Sequence, residues 1–257
     1  MKKFLTVALA GVLAASMLFT GCSKKAESKV PDKLIVGTNA EFPPFEYMND
    51  KKQPEGFDIA MIKEIGKRMG KKVEIKNMEF KSLIGAMESD SINAIIAGMT
   101  KTEKREKAVD FSDSYYTTNQ AIILKKDSKI TKLAQLDGKK IGVQEGTTGD
   151  LISSGDKFGD GKKAKVLVKG AKVKRFKKGV DAVMDLKNGS VDAVVIDELT
   201  ANEFVKKNAK KLKIVIDSAG SEYYCIALTK GNTAYKEEVN KQIKAIKEDG
   251  TYDKLKA

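Results

Sequence analysis

Residues 91–98 of this chain read SINAIIAG, and residues 190–197 read SVDAVVID. Each segment begins with a serine after a polar turn and continues as an apolar, largely β-branched run, which is the pattern of a buried strand. The two segments also hold the same place in a longer order of elements. We therefore predict that they are equivalent strands in two similar halves of the fold.

The elements around these segments repeat in the same order. Those predicted for the first half are a strand at 34–37, a helix with Asp58 as its N-cap that ends at Gly70, a strand at 73–75, a helix at 82–87 and a strand at 92–97. Those predicted for the second half are a strand at 140–143, a helix from about Thr147, a strand at 166–168, a helix at 180–186 and a strand at 191–196. Strands that alternate with helices indicate parallel α/β sheets, and two such sets indicate two lobes.

The predicted strand ends also indicate a binding cleft. In open α/β sheets the ligand lies beyond the carboxyl ends of the strands. That rule selects residues 37–39, 98–100, 144–148 and Asp197, which would face each other across one cleft. Lobes of this kind close around a ligand about a hinge. The predicted fold class is therefore α/β, with two lobes of parallel or mixed sheets flanked by helices and a ligand cleft between them.

The composition of the 257-residue chain excludes several classes of protein. Hydrophobic residues make up 41% and charged residues 32%, which is usual for a globular protein and excludes a collagen-like or wholly disordered chain. The chain has no histidine, so mechanisms that need a histidine base are excluded. Two cysteines, Cys22 and Cys225, are too few for a cysteine-rich zinc site or a disulfide framework. We expect no metal and no cofactor, and we expect Cys225, in an apolar run, to be buried and unreactive.

The net charge of +13 comes mainly from lysines. Arg68, Arg105 and Arg175 are the only arginines, and arginine is the residue preferred for contacts to base edges and phosphates. Many lysines lie among apolar and acidic residues between positions 162 and 213, which favours a solvated surface over a functional basic patch. We therefore expect no nucleic-acid partner.

The amino-terminal residues have the pattern of a secretory signal. The chain starts MKK and continues with an almost entirely apolar stretch at 4–19, which is too short for a membrane span. Residues 18–22, LFTGC, resemble the lipobox of bacterial lipoproteins, in which the signal is cleaved before an acylated cysteine. This resemblance implies a signal peptide at 1–21, a lipid anchor on Cys22 and a flexible tether over 22–32. An ordinary signal with a chance cysteine is the alternative.

Longer motifs extend through both halves of the chain. They are GTNAEFPPFEY at 37–47, GFDI at 56–59, AIIAGMT at 94–100, EKR at 103–105, VDFSDSYY at 109–116, GVQEGTT at 142–148 and DAVVID at 192–197. Together they resemble the amino-acid-binding proteins of ABC importers, which are bacterial extracellular solute-binding proteins of family 3. The resemblance covers nearly all of residues 33–257 and implies a periplasmic-binding-protein-like fold of type II.

The resemblance also implies how the chain is divided between the lobes. Residues 33–118 and 223–257 are expected to form lobe 1, and residues 119–222 lobe 2. The chain would cross between the lobes at hinge segments near 117–121 and 219–224, so that its carboxyl-terminal part completes lobe 1. Such a protein is expected to act as a monomer.

By the same resemblance, five residues bind the groups that all α-amino acids share. Arg105 would hold the carboxylate by two parallel hydrogen bonds, which lysine cannot copy. Thr100 would donate its hydroxyl to the same carboxylate, and Thr148 would offer an N–H at a helix start, where simple helix capping is the alternative. Gly98 would accept from the α-ammonium through its carbonyl, and Asp197 would meet the ammonium from the other lobe.

Four further residues are expected around the ligand side chain: Asn39, Phe42, Phe80 and Gln144. Phe42 and Phe80 would sandwich an aliphatic stem or a planar group, unless they pack only in the core. Asn39 stands where the family commonly has an acidic residue, so a charge that could pair with a cationic side chain is missing. Asp58 and Glu41 are other acids near the cleft, each explained equally well by capping or surface exposure. We therefore expect a ligand with a polar, uncharged side chain.

The expected function is that of an extracytoplasmic receptor. It would capture a free amino acid by lobe closure and deliver it to the membrane subunits of an ABC importer. A lipid anchor would hold it at the outer face of the cytoplasmic membrane, on the periplasmic side in a cell with two membranes. The alternatives are a dehydratase of the same fold that uses a cleft acid such as Glu145, and the ligand-sensing module of a signalling system.

Overall fold

A computed structural model describes residues 29–155, 167–216 and 221–256 of the chain. The predicted signal peptide, Cys22 and the first part of the predicted tether lie outside the described residues, as do positions 219 and 220 of the second predicted hinge.

Thirteen strands and eight α-helices form within the described ranges. The strands are β1 (Lys33–Thr38), β2 (Glu41–Phe42), β3 (Glu46–Met48), β4 (Pro54–Glu55), β5 (Lys72–Asn77), β6 (Ala94–Ile95), β7 (Val109–Thr118), β8 (Gln120–Lys125), β9 (Lys140–Gln144), β10 (Lys172–Phe176), β11 (Ala193–Asp197), β12 (Leu212–Ile216) and β13 (Glu222–Thr229). The helices are α1 (Phe57–Arg68), α2 (Leu83–Glu88), α3 (Glu103–Glu106), α4 (Thr148–Ser153), α5 (Gly179–Asn188), α6 (Glu198–Lys206), α7 (Thr233–Glu248) and α8 (Thr251–Lys256). None of these helices has the length and apolar character that a membrane span requires.

Two five-stranded sheets have the same arrangement. The first has the order β5-β1-β6-β13-β7, and the second has the order β10-β9-β11-β8-β12. In each sheet the first three strands are parallel, and the fourth runs antiparallel to both of its neighbours. A small third sheet contains β2, β3 and β4. The predicted two-lobed α/β fold with mixed sheets is confirmed.

The chain passes between the two large sheets twice. Strand β7 ends in the first sheet at Thr118, and β8 begins in the second at Gln120. Strand β12 ends in the second sheet at Ile216, and β13 begins in the first at Glu222. The late strand β13 therefore lies inside the first sheet, between β6 and β7.

The repeated segments of the sequence hold equivalent places in the two sheets. Strand β6 pairs in parallel with β1, with Ala94 opposite Val36, and β11 pairs in parallel with β9, with Ala193 opposite Ile141. Both strands are fully buried. The prediction that they are equivalent is confirmed, although β6 has only two residues.

The strand predicted at 166–168 is wrong for its described part, because Leu167 and Val168 form no strand. The edge position beside β9 belongs instead to β10, whose sequence is KVKRF. Its lysines are exposed, so β10 lacks the apolar run that identifies a buried strand. Charged side chains are usual on an edge strand because they hinder pairing with another chain.

Helix α1 shows how the sequence builds the core of the first lobe. Met61, Ile62 and Ile65 recur at helical spacing and are fully buried. On the neighbouring sheet, Cys225 in β13 is buried as predicted. Burial raises the pKa of its thiol to about 11, so the reactive thiolate is disfavoured at neutral pH.

Candidate functional site: a cleft between the two sheets

The carboxyl ends of strands from both sheets surround one cavity. Its lining consists of Asn39, Phe42, Phe80, Ala97, Gly98, Thr100, Arg105, Gln144, Thr147, Thr148 and Asp197. The structure therefore brings together all nine residues that the sequence predicts at the ligand, with Ala97 and Thr147 in addition. Both lobes contribute to the lining, as expected for a cleft that closes between them.

Gly98 forms part of the cavity wall where only glycine fits. Its φ of +51° lies in the left-handed region, which other residues avoid. A Cβ at this position would also lie 3.2 Å from the ring of Phe42 and 3.3 Å from the ring of Tyr224. The Gly98 N–H donates to Asp58 Oδ2 at 2.8 Å, so a buried carboxylate fixes this peptide from behind.

The carboxyl group of Asp58 belongs to a buried acidic pair with Glu46. The prediction that Asp58 caps α1 is wrong, because the N-cap is Gly56 and Asp58 is fully buried. Tyr115 also donates to Asp58 Oδ2, at 2.7 Å. Burial raises the pKa of Asp58 to about 6, and burial together with the Asp58 charge raises the pKa of Glu46 well above its usual range.

Arg105 supplies a buried guanidinium to the cavity. Its Cζ lies 5.3 Å from the centroid of the Phe80 ring. Nη1 donates to the Thr100 carbonyl at 2.5 Å, and Nη2 donates across the cleft to the Gly146 carbonyl at 3.0 Å. A guanidinium has five N–H groups, so these two bonds do not exhaust its donors. Burial lowers the pKa of Arg105 to about 10, and the group therefore remains a cation at neutral pH.

Asp197 supplies a buried carboxyl group from the second lobe, at the end of β11. Gln120 Nε2 donates to its Oδ1 at 2.8 Å, and the hydroxyl of Tyr224 donates to its Oδ2 at 2.5 Å. Burial is the main cause that raises the pKa of Asp197 to about 7, and the nearby Glu222 carboxylate is the second. A cation in the cavity would favour the ionised form of this group.

An amide pair crosses the cavity at the position predicted for the ligand side chain. Gln144 Nε2 donates to Asn39 Oδ1 at 2.8 Å, and Asn39 Nδ2 donates to the Met78 carbonyl at 2.8 Å. Gln144 Oε1 is buried and accepts no hydrogen bond from the part of the chain that the structure describes. The pair therefore offers acceptor oxygens without a formal charge.

The hydroxyl groups of Thr100 and Thr148 both point at Glu222, which the sequence analysis did not select. Thr100 Oγ1 donates to Glu222 Oε2 at 2.6 Å, and Thr148 Oγ1 donates to the same atom at 2.8 Å. In the structure the Thr100 hydroxyl thus has a partner other than a ligand. A lone acidic residue at the start of an apolar strand, inside a predicted hinge, is the signal that could have identified Glu222.

Three ion pairs join the lobes at the rim of the cleft: Lys81–Glu145 at 2.8 Å, Glu79–Lys177 at 2.6 Å and Glu41–Lys178 at 2.6 Å. They account for Glu41 as a rim residue. They also account for Glu145, the acid of the dehydratase alternative, which does not line this cavity. Within residues 29–155, 167–216 and 221–256, no cluster of acidic, cysteine or histidine residues has the arrangement of a metal site.

The model of the family "Bacterial extracellular solute-binding proteins, family 3" matches residues 34–257. The arginine-binding extracellular protein ArtP of Bacillus subtilis (strain 168) is 33% identical over 259 residues, which span 100% of this chain and 97% of that protein.

Solved structures of ancestral proteins are similar over most of the chain. An ancestral arginine-binding protein bound to arginine has 43% identity and a TM-score of 0.78, and one bound to glutamine has 41% identity and a TM-score of 0.77. Each match covers 88% of this chain and 97% of the other. The ancestral amino acid-binding protein AncCDT-1, a precursor of cyclohexadienyl dehydratase, has 33% identity and a TM-score of 0.77, and covers 87% of this chain and 93% of its own.

Proposed function

Because the chain belongs to the bacterial extracellular solute-binding proteins of family 3, we propose that it captures a free α-amino acid between its lobes and delivers it to the membrane subunits of an ABC importer. One observation carries the proposal: Arg105 and Asp197 are a buried cation and a buried acid that line one cavity from different lobes. A zwitterion presents the two complementary charges, and a desolvated charge needs such a partner.

In this proposal Arg105 binds the ligand carboxylate, and Asp197 binds the α-ammonium group. The free N–H groups of the Arg105 guanidinium suit a carboxylate because the fork geometry allows two parallel bonds. Asp197 already accepts from Gln120 and Tyr224, and a carboxylate has lone pairs for a further donor. Asp58 accepts from the Gly98 N–H, and we assign the carbonyl of the same residue to the ammonium as a second acceptor.

We propose that the ligand side chain ends in N–H donors. The support comes from the Asn39–Gln144 amide pair, because both residues line the cavity and Gln144 Oε1 accepts no hydrogen bond from the described residues. A carboxamide or a guanidinium would satisfy these oxygens. The uncharged amides favour the carboxamide, whereas arginine is the ligand named for several relatives.

The proposed mechanism is capture followed by closure of the lobes about the two chain crossings, near 117–121 and 219–224. Binding residues come from both lobes, so a ligand that touches both favours the closed arrangement. We propose that the protein works as a monomer. No step forms or breaks a covalent bond, and pairing of Glu145 with Lys81 at the rim argues against its use as a cleft acid.

We further propose that Cys22 is acylated and holds the protein at the outer face of the cytoplasmic membrane. The support is the LFTGC sequence at 18–22 after an apolar stretch. Cys22→Ala should abolish lipid attachment and move the protein from the detergent phase to the aqueous phase in phase partitioning. Unchanged partitioning of the variant would reject the anchor.

A ligand screen tests the central proposal. Protein that has been unfolded and refolded to remove any carried-over ligand is heated with each common amino acid, and every shift in melting temperature is followed by calorimetry. L-glutamine and L-arginine are expected to give the largest shifts. The variant Asn39→Asp should improve the affinity for arginine relative to glutamine, because it adds a negative charge at the side-chain end. Absence of binding by any amino acid would reject the function.

A further inference from the structure

Glu222 lies where the chain returns from the second sheet to the first. It is the first residue of β13, opposite Thr118 at the end of β7. Only 1% of its surface is exposed. A buried carboxylate at such a crossing costs free energy unless it is bonded, so its partners indicate its role.

Those partners come from both lobes. Thr100 follows β6 in the first lobe, and Thr148 begins α4 in the second, yet both hydroxyls donate to the same Oε2 atom of Glu222, at 2.6 and 2.8 Å. If the lobes move apart, the two threonines separate, and one oxygen atom can no longer accept a hydrogen bond from both. The pair of bonds is therefore a property of the closed arrangement.

The charged surroundings fit a carboxylate at this place. The Arg105 guanidinium favours the ionised form of Glu222, whereas Asp197 is a neighbouring acid. Tyr224 on the same strand also faces this pair of acids. Burial raises the pKa of Glu222, and hydrogen bonds from Thr100, Thr148 and Gln120 oppose that rise.

We propose that Glu222 is a positioning residue for ligand binding, which joins the two lobes by accepting the hydroxyl protons of Thr100 and Thr148. This inference rests on the proposed function. Each hydroxyl has one proton, and both protons are committed to Glu222. The ligand carboxylate therefore meets backbone N–H groups and Arg105 rather than these hydroxyl protons. Glu222 thus stabilises closure and selects the donors that the ligand contacts.

The test is a double-mutant cycle on Glu222 and Thr148, read by calorimetry with L-arginine and L-glutamine. Glu222→Gln keeps the shape and removes the charge, and should weaken binding about 10-fold or more, as expected for charge-assisted hydrogen bonds. Thr148→Val should cause a similar loss, and Thr148→Ser should bind within about twofold of wild type because it keeps the hydroxyl. The double variant should be little weaker than either single variant.

Controls separate this role from general damage. Glu198→Gln changes an acid that bonds Asn119 near the other crossing, and it should leave affinity unchanged. The inference would be overturned if the double variant lost affinity by the product of the two single losses. It would also be overturned if Glu222→Gln kept wild-type affinity. In either case the proposed amino-acid receptor would stand. Wild-type protein that binds no amino acid would reject the proposed function and this role with it. If Glu222→Gln does not fold, equal affinities of Thr148→Val and Thr148→Ser overturn the inference, and rescue by serine supports it.

Discussion

Arg105 and Asp197 should control binding of every amino acid, because in the proposed site they meet the groups that all amino acids share. Asp197→Asn or Arg105→Ala leaves a desolvated ligand charge without its partner, which costs about 2–5 kcal/mol. Affinity should fall roughly 30- to 5,000-fold in calorimetry. Arg105→Lys should lose much of this affinity despite its charge, since it cannot form two parallel bonds. Wild-type affinity for Arg105→Lys would show that the carboxylate binds elsewhere.

The pKa of Asp197, raised to about 7 by burial and by Glu222, predicts a pH dependence of binding. The α-ammonium needs the ionised acid, so the competent fraction falls as the pH drops below 7. Affinity at pH 6 should be up to about tenfold weaker than at pH 8, because the competent fraction scales the apparent affinity. Calorimetry near pH 7 should also record proton release in buffers of different ionisation enthalpy. Asp197→Asn should release no proton, and an unchanged affinity from pH 6 to pH 8 would contradict the assignment.

At the scale of single residues, sequence reasoning identified the lining of the cavity but not what supports it. Arg105, in the short helix α3, and Asp197, at the end of β11, stand in motifs whose chemistry is local. Glu222 acts through Thr100 and Thr148, which lie far from it in the chain. Its role depends on how three distant segments meet, and an acid at the start of an apolar strand marks the residue without showing its partners.

Strand β3 and helix α1 bring Glu46 and Asp58 together in the interior, and this should be visible in stability. The pKa of Glu46 is raised well above 4.5, so above that pH the folded protein keeps a proton that the unfolded chain has already released. The stabilising contribution is therefore complete below about pH 4.5 and is lost as the pH rises. Between pH 5 and pH 8, the melting temperature of Glu46→Gln should therefore fall less than that of the wild type.

Thermal melts followed by circular dichroism provide the measurement. The difference between Glu46→Gln and wild type should reach a few degrees, since 1 kcal/mol shifts the melting temperature of a protein of this size by ~2–4 °C. Glu237→Gln on the exposed face of α7 is the control and should follow wild type. Parallel pH profiles for Glu46→Gln and wild type would show that Glu46 is ionised in the folded protein.

At the scale of elements, sequence reasoning succeeded where burial creates a pattern and failed where it does not. The repeated segments that become β6 and β11 are apolar because they lie inside a sheet. Strand β10 is held by hydrogen bonds to β9 at the sheet edge, and its exposed lysines resemble a loop. The apolar residues at 167 and 168 were therefore mistaken for that strand.

For the whole molecule, the rim ion pairs predict that closure depends on ionic strength. The pairs are partly exposed, so salt screens them. Affinity for the amino acid should fall roughly three- to tenfold between about 0.02 M and 0.5 M salt. Glu79→Lys should weaken binding at low salt, and the combination with Lys177→Glu should restore it by reversing the pair.

The exposed pair Lys244–Glu248 lies within α7 and provides a matched control. Its reversal should leave affinity unchanged, because it does not cross the cleft. Small-angle scattering should show a smaller radius of gyration with ligand than without, and Glu79→Lys should need more ligand for the same change. If reversal of Glu79 and Lys177 has no more effect than the α7 control, the rim pairs play no part in closure.

The position of β13 inside the first sheet has a consequence for biogenesis. The second sheet contains only strands from Gln120 to Ile216, whereas the first sheet must wait for Glu222–Thr229 to fill the gap between β6 and β7. A chain that emerges with its amino end first can therefore assemble the second sheet while the first sheet is still incomplete. Until export delivers its last strand, the first lobe leaves the edges of β6 and β7 unpaired, and during that interval a chaperone would be needed most.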